Sequence, residues 1–214
     1  MCIICVSEKG VRQPNLNELS QMFQRNPDGA GYMVARDGRV EIHKGFMSFS
    51  NFLANVQAEN FTDDDVVIYH FRISTQGGVN PSMCHPFPLT KSLKHTKALD
   101  VLAKIGIAHN GIIPLTTNRN DKEYSDTAHF IAEYMPHVIR HVEDIRDEQI
   151  QTILGKLAES KLAIMDGTGY VAIIGNFITE SSGLKFSNST YKNYNYGKYY
   201  DGLFNARRQP SYQA

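Results

Sequence analysis

The amino-acid sequence predicts an α+β fold in which two layers of β-strands are covered by helices. Two apolar runs rich in β-branched residues, 1–6 and 66–73, have the composition of buried strands. Asp37-Gly38 joins two short β-prone segments and is typical of a tight hairpin. Amphipathic segments such as 126–140 repeat apolar residues at helical spacing. Helices and strands thus alternate along the chain, and packing two β layers between helices would bury the apolar face of each element.

Length and composition predict one domain with an appendage. The chain has 214 residues, and 1–187 contains all of the predicted strands and helices. Residues 188–214 are rich in Tyr, Asn and Lys and offer few aliphatic side chains to bury, so we predict a mobile tail there. Basic residues interleaved with aromatic ones could also stack on nucleic-acid bases, which is the alternative for this segment.

Charge and cysteine content argue against several classes of protein. Twenty-two Lys and Arg balance 22 Asp and Glu, so the overall charge favours neither a nucleic acid nor a membrane surface as a partner. The three cysteines, an odd number, do not suggest a disulfide framework. No apolar run is long enough for a membrane span, and no signal-peptide pattern opens the chain. We therefore expect a cytoplasmic protein.

Periodicity and capping signals predict the remaining elements. Asn15, with Glu18 three residues later, is a candidate cap for the first helix. Residues 74–89 contain three prolines and a Gly-Gly pair, and long irregular segments of this kind often form part of a functional site. The predicted elements are strand 1–6, helix 16–23, hairpin 32–35 with 39–44, helix 50–59, strands 66–73 and 106–113, helices 126–140 and 148–157, hairpin 161–166 with 170–175, and strand 184–187.

Cys2 directly follows the initiator methionine. Removal of Met1, which processing enzymes allow when the next side chain is small, would leave a thiol and a free α-amine on one residue. An α-amine with a pKa of about 7.7 to 8 is partly neutral near pH 7, so it can act as the base for the thiol in acyl transfer. The alternative is a structural cysteine, because free cysteine packs like a small hydrophobe.

Four further residues are of the types that hydrolysis of an amino-acid amide requires. Asn110 and Gly111 end a predicted strand, where a side-chain amide and a backbone N–H could bind one oxyanion. Arg72 could bind a carboxylate with two hydrogen bonds, and Asp126 could bind an ammonium group. Each also has an ordinary structural interpretation, as a turn, a surface ion pair or a helix cap.

These residues and their neighbours resemble the class II glutamine amidotransferases of the N-terminal nucleophile (Ntn) hydrolase superfamily. The resemblance covers nearly all of the chain before the tail and rests on several motifs in the family's order. They are Cys2 after Met1, Arg25-Asn26-Pro27-Asp28-Gly29-Ala30-Gly31, His70-Phe71-Arg72-Ile73-Ser74-Thr75-Gln76-Gly77, His85-Pro86-Phe87, His109-Asn110-Gly111-Ile112, Ser125-Asp126-Thr127 and Leu184-Lys185-Phe186-Ser187-Asn188. The chain differs from the family pattern at Ile3, Asn26, Ile73, Gln76 and Ala128.

The resemblance implies a fold and a reaction. The fold would be the four-layer α-β-β-α sandwich of Ntn hydrolases, and the activity would be release of ammonia from L-glutamine. Cys2 would be the nucleophile and its own α-amine the base. Asn110 and Gly111 would form the oxyanion hole around the developing negative charge.

The resemblance also implies substrate-binding residues. Arg72 and Thr75 would bind the α-carboxylate of glutamine. Asp126 would bind its α-ammonium group, with Gly111 also near the substrate.

We predict no metal and no cofactor, since the eight histidines show no metal-ligand spacing. The ammonia would pass to a separate synthetase-type partner protein or be released.

Two alternatives remain. One keeps the chemistry but changes the substrate, giving an Ntn amidohydrolase that acts on another γ-glutamyl-type amide. The other is a catalytically inactive scaffold used for binding, which retention of Met1 would favour, because a blocked amine cannot serve as the base.

Overall fold

The fold consists of two antiparallel β-sheets and several helices. A computed structural model describes residues 1–74, 78–117, 121 and 123–193. The strands in these ranges are β1 (Ile3–Ser7), β2 (Ala30–Arg36), β3 (Arg39–Phe46), β4 (Val67–Phe71), β5 (Phe87–Pro88), β6 (Asp100–Ala103), β7 (Ile105–Asn110), β8 (Lys161–Asp166), β9 (Val171–Ile174), β10 (Ile178–Thr179) and β11 (Lys185–Phe186). The α-helices are α1 (Leu16–Arg25), α2 (Phe49–Glu59), α3 (Leu93–Thr96), α4 (Pro114–Thr117), α5 (Asp126–Glu133), α6 (Met135–Val138) and α7 (Glu148–Ala158).

Strand pairing defines the two sheets. One has seven strands in the order β10-β11-β1-β4-β2-β3-β6, and the other has four in the order β5-β7-β8-β9. The paired strands run antiparallel in both sheets. The α+β class predicted from the sequence is therefore confirmed.

β1 is buried at every position, because both of its faces pack against apolar side chains. Ile3 and Cys5 point into a cluster with residues of α1 and α2. Ile4 and Val6 point the other way, into a cluster that includes residues of β7 and β8. The continuous apolar run at the start of the sequence is the signature of this double burial, although the strand begins at Ile3 rather than at Met1.

Three hydrophobic clusters account for most of the packing. Side chains of α1 and α2 pack on one face of the seven-stranded sheet, and side chains of α5, α6 and α7 pack on one face of the four-stranded sheet. The third cluster joins the remaining faces of the two sheets. The sheets approach closely at Gly106, where a Cβ atom would lie 2.4 Å from Sδ of Met33. This packing is compatible with an α+β sandwich.

Most predicted elements are present, with two kinds of difference. Both hairpins form, and the first turns at Asp37-Gly38 as predicted. The predicted helix 126–140 is instead divided into α5 and α6, because Pro136 has no N–H to donate within a helix and its ring crowds the preceding turn. The sequence does not predict the short strands β5, β6 and β10 or the short helices α3 and α4, since such short elements show little periodicity.

The packed chain continues beyond residue 187. Asn188 and Tyr191 are buried, and the ring of Tyr191 stacks on that of Phe186 with the centroids 4.6 Å apart. The segment predicted as a tail therefore begins with residues that contact the core. Residues 194–214 lie outside the described part of the chain.

Candidate active site

Cys2 lies where the chain enters β1, with its thiol against the segment that follows β4. The backbone N–H of Ile73 donates to Sγ at 3.4 Å, and the carbonyl oxygen of Ile73 lies 3.5 Å from the same sulfur atom. Cys2 is half-buried, whereas Met1 is 72% exposed. The predicted nucleophile is thus held by backbone atoms next to Arg72.

Burial and nearby charge act in opposite directions on the Cys2 thiol. Burial raises its pKa, because the thiolate loses hydration. The hydrogen bond from Ile73, the charge of Arg72 and the charge of the N-terminal amine lower the pKa and offset part of this effect. Since the thiolate is the attacking form, Arg72 favours the reactive state of Cys2 electrostatically.

Arg72 is buried, and the turn between α1 and β2 holds the backbone around it. Its N–H donates to the carbonyl oxygen of Gly29 at 2.8 Å, and its own carbonyl accepts from the N–H of Asp28 at 3.0 Å. Oδ2 of Asp28 accepts from the N–H of Ser74 at 2.8 Å, and Nη2 of Arg72 donates to Oγ of Ser74 at 3.1 Å. Thr75, the second predicted carboxylate ligand, lies outside the described residues.

Asn110 is the last residue of β7 and is connected to β1 through Ser187. Nδ2 of Asn110 donates to Oγ of Ser187 at 2.8 Å, and the same oxygen accepts from the N–H of Ile4 at 2.9 Å. Asn110 is 4% exposed, and its Oδ1 atom has no hydrogen-bond partner among the described residues. The predicted oxyanion donor is therefore joined to the strand that begins next to Cys2.

Gly111 occupies a position that only glycine suits. Its φ of 145° lies in the region that other L-residues rarely adopt. In addition, a Cβ atom here would lie 2.6 Å from Cβ of Ser160. The chain can leave β7 next to Asn110 in this conformation because residue 111 has no side chain.

Asp126 is the first residue of α5, and its carboxylate is oriented by backbone donors. Oδ2 accepts from the N–H of Ile113 at 2.8 Å, and Oδ1 accepts from the N–H of Thr127 at 2.8 Å. The side chain is buried, with Ser125 as the N-cap of the helix. Each carboxylate oxygen keeps acceptor capacity beyond these bonds, so the group could still bind an ammonium ion.

His109 connects β7 to α5 through a chain of polar side chains. Its Nδ1 lies 2.8 Å from Oγ1 of Thr127, which is 3.3 Å from Oδ1 of Asp126. Its Nε2 lies 2.8 Å from Oγ of Ser160. A serine hydroxyl beside an imidazole also occurs in serine nucleophiles with their base, but here Thr127 lies between the imidazole and the acid. In addition, burial lowers the pKa of His109 to about 4. An imidazole with that pKa is a weak base, so the chain is better suited to fixing orientation.

Three buried histidines form a cluster next to Asn110. Nε2 of His70 and Nδ1 of His85 lie 2.9 Å and 3.1 Å, respectively, from the carbonyl oxygen of His109. The rings of His70 and His85 pack with their centroids 4.3 Å apart. Burial lowers the pKa of His70 to about 3 and that of His85 well below its ordinary value. The cluster is therefore uncharged at neutral pH and joins β4 to β7.

The contacts bring four of the predicted residues to one end of the two sheets. Cys2 precedes β1 and Arg72 follows β4, which are antiparallel neighbours, and Asn110 and Gly111 follow at the end of β7. Asp126 is linked to this end through His109. A thiol, a guanidinium, an amide and a carboxylate in this arrangement suit nucleophilic substitution at an acyl group of a zwitterionic substrate.

No protein-family model matches this chain, and no curated protein matches it either.

Sequence reasoning did not assign roles to three polar residues of this region. Ser160 contacts His109, Ser187 contacts Asn110, and Nδ2 of Asn188 donates to the carbonyl oxygen of Cys2 at 2.7 Å. The motif that contains Ser187 and Asn188 predicts only a late strand. Nothing in a single serine or asparagine indicates which distant residue it will contact.

The residues that the structure describes form neither a metal-ligand cluster nor a membrane-spanning helix. They contain no group of three or more His, Cys, Asp or Glu side chains that could hold a metal ion. None of their helices has the length and the apolar composition that a membrane crossing requires.

Proposed function

We propose that the chain hydrolyses the side-chain amide of L-glutamine through a thioester at Cys2, as a class II glutamine amidotransferase-type member of the Ntn hydrolases. One observation carries the proposal. The Cys2 thiol lies against the backbone next to Arg72, while the strand that Cys2 precedes is hydrogen-bonded through Ser187 to Asn110. A nucleophile, a carboxylate-binding cation and an oxyanion donor are thus supplied from one end of the sheets.

The packing supports the corresponding fold proposal, a four-layer α-β-β-α sandwich. Separate hydrophobic clusters attach helices to the two sheets, and a third cluster joins the sheets to each other. A layer order of helix, sheet, sheet and helix accounts for all three clusters.

The first chemical step requires the removal of Met1. After its removal, the α-amine of Cys2 accepts the thiol proton, and the thiolate adds to the side-chain carbonyl carbon of glutamine. Nδ2 of Asn110 and the N–H of Gly111 donate to the oxygen that becomes negative. The charge of Arg72, which lowers the pKa of the thiol, assists this step.

The later steps return the enzyme to its starting state. The C–N bond breaks as the protonated α-amine gives its proton to the leaving nitrogen, which departs as ammonia. Water, deprotonated by the same amine, then attacks the glutamyl thioester, and glutamate leaves as the C–S bond breaks. A separate acceptor protein would use the ammonia.

Substrate orientation would come from charges at the two ends of the amino-acid group. The guanidinium of Arg72 would bind the α-carboxylate, with Thr75 as its neighbour in the motif. Asp126 would bind the α-ammonium with a carboxylate whose orientation is set by the N–H groups of Ile113 and Thr127. Two opposite charges at a fixed separation would select a free amino acid.

The first experiment tests the nucleophile. Intact mass spectrometry should show loss of Met1, and the purified protein should release glutamate from L-glutamine. Cys2→Ala should abolish this release, whereas Cys5→Ala, which changes a buried cysteine within β1, should leave most of it. Full retention of Met1, or glutamate release that persists in Cys2→Ala, would contradict the mechanism.

The second experiment tests the substrate. Arg72→Lys keeps the charge but loses the bidentate geometry, so KM for glutamine should rise about tenfold or more while kcat changes less. The same variants should be assayed on other γ-glutamyl amides. Turnover of such an amide without turnover of glutamine would favour the alternative Ntn amidohydrolase.

A further inference from the structure

Residues 187 and 188, which follow β11, contact the start of β1 through both backbone and side chains. The N–H of Ser187 donates to the carbonyl oxygen of Ile4 at 3.0 Å, and the N–H of Ile4 donates back to Oγ of Ser187 at 2.9 Å. The ammonium group of Lys161 donates to the carbonyl oxygen of Ser187. Ser187 is fully buried, so its hydroxyl has little freedom to choose other partners.

When Nδ2 of Asn110 is the donor, the hydroxyl hydrogen of Ser187 makes no hydrogen bond to any described residue. Oγ of Ser187 then accepts two hydrogen bonds, from Ile4 and from Asn110, and its own hydrogen has no acceptor among the described contacts. Oδ1 of Asn110 is likewise buried without a partner in the described part of the chain. A buried polar group that makes no hydrogen bond destabilises the fold.

Turning the Asn110 carboxamide by half a turn pairs the Ser187 hydroxyl with Oδ1 of Asn110 and leaves the heavy atoms in the same positions. The hydroxyl of Ser187 then donates to Oδ1 while it accepts from Ile4. The NH2 group moves to the position where Oδ1 had no partner. In this orientation Asn110 has two N–H bonds that await an acceptor, which is what an oxyanion donor requires.

Asn188, the residue after Ser187, binds the backbone of Cys2, the proposed nucleophile. Nδ2 of Asn188 donates to the carbonyl oxygen of Cys2 at 2.7 Å. The orientation of the Asn188 side chain is itself fixed by Thr190. Oδ1 of Asn188 accepts from the N–H of Thr190 at 3.1 Å and from the hydroxyl of Thr190 at 2.7 Å. Two consecutive residues thus reach both Asn110 and Cys2.

We propose that Ser187 is a positioning residue that turns the NH2 group of Asn110 toward the oxyanion, while Asn188 holds the backbone of Cys2 in register with it. The inference rests on the proposed function. Neither side chain contacts the reacting atoms in this role, since each acts through a residue that does.

The test compares Ser187→Ala with wild type in the glutaminase assay. Without the hydroxyl the carboxamide loses its orienting partner, so kcat should fall about 10- to 100-fold, less than the loss of about 10²- to 10³-fold expected for Asn110→Ala. KM should stay within about twofold, because the substrate clamp is elsewhere. Ser7→Ala is the matched control, since Ser7 is a fully buried serine at the other end of β1.

A double-mutant cycle separates positioning from general damage. In the Asn110→Ala background, Ser187→Ala should have little further effect on kcat, because the residue through which it acts is absent. The rate at which iodoacetamide alkylates Cys2 should be unchanged by Ser187→Ala and altered by Asn188→Ala. Should Ser187→Ala fail to fold, Ser187→Cys keeps the shape of the side chain, although sulfur is larger than oxygen, and replaces the hydroxyl by a weaker donor. Its kcat should lie clearly below that of wild type.

The outcomes distinguish the two proposals. An active wild type with full kcat in Ser187→Ala, or with effects of Ser187→Ala and Asn110→Ala that simply multiply, overturns the positioning role and leaves the proposed function intact. A processed wild-type protein that does not turn over glutamine contradicts the proposed function, and the positioning role is then overturned with it.

Discussion

At the scale of single residues, the candidate site depends on groups whose neighbours limit what they can do. Cys2 has a thiol whose pKa is raised by burial and lowered by the charge of Arg72. Asn110 has an amide whose orientation depends on one hydroxyl. The residue types suggest a nucleophile and an oxyanion donor. Their contacts determine how readily the thiol ionises and which way the amide points.

Gly111 allows a test of backbone conformation at this scale. Gly111→Ala would introduce a Cβ atom 2.6 Å from Cβ of Ser160 at a φ of 145°. We expect a loss of about 1–3 kcal/mol in the free energy of unfolding and a decrease in kcat, because the oxyanion donors would shift. Urea denaturation and the glutaminase assay measure the two effects.

Gly10→Ala is the control for Gly111→Ala. Gly10 also has a positive φ, of 81°, but no atom lies within 4 Å of the added Cβ position. This substitution should cost only the conformational strain and leave kcat unchanged. Equal losses of stability in the two variants would show that the contact with Ser160 has no effect.

At the scale of elements, the turn after α1 positions the end of β4. α1 is capped by Asn15 and Glu18, as the sequence predicts, and ends at Arg25. The chain then turns so that Oδ2 of Asp28 accepts a hydrogen bond from the N–H of Ser74, two residues after Arg72. A helix that covers one face of the seven-stranded sheet is thereby connected to the segment that we propose binds the substrate.

Asp28→Ala tests this connection. Loss of the bond to Ser74 should loosen the segment that follows Arg72, so KM for glutamine should rise about tenfold, the equivalent of about 1.4 kcal/mol, with a smaller change in kcat. Asp65→Ala is a suitable control, because Oδ2 of Asp65 accepts from the N–H of Thr62 at 2.8 Å just before β4. A similar rise of KM in both variants would contradict the local effect.

At the scale of the whole molecule, the two sheets are joined by apolar packing and by the histidine cluster. His70, His85 and His109 are buried, and burial lowers the pKa of each. The folded protein keeps them neutral down to about pH 4 for His109 and about pH 3 for His70. The unfolded chain takes up protons on histidine below about pH 6.5.

This difference predicts a loss of stability in acid. Because the unfolded state binds more protons below about pH 6.5, the free energy of unfolding should decrease as the pH falls from about 6.5 to 4, by up to about 1.4 kcal/mol per pH unit for each buried histidine. His70→Gln cannot titrate, so its decrease over this range should be shallower than that of wild type. Urea denaturation at several pH values measures it.

The exposed His137 provides the control for the acid experiment. His137→Gln changes a histidine that lies outside the cluster and is exposed to solvent. Its stability should decrease with falling pH as steeply as that of wild type. A slope in His70→Gln that equals the wild-type slope would contradict the role of the buried cluster.

The sequence alone determined the features that depend on neighbouring residues. The apolar run of β1, the turn at Asp37-Gly38 and the cap of α1 follow from burial, from tight-turn conformation and from capping hydrogen bonds. Local periodicity therefore predicted the α+β class and most of its elements. The resemblance to a known family supplied the list of candidate residues, but not their contacts.

Only the tertiary structure decided which distant residues meet. Ser187 is 183 residues from Ile4 and 77 from Asn110, and Asn188 is 186 residues from Cys2. These contacts depend on how two sheets register and pack, which the periodicity of any one segment does not specify. The same packing set the burial that keeps the histidine cluster neutral and raises the pKa of Cys2.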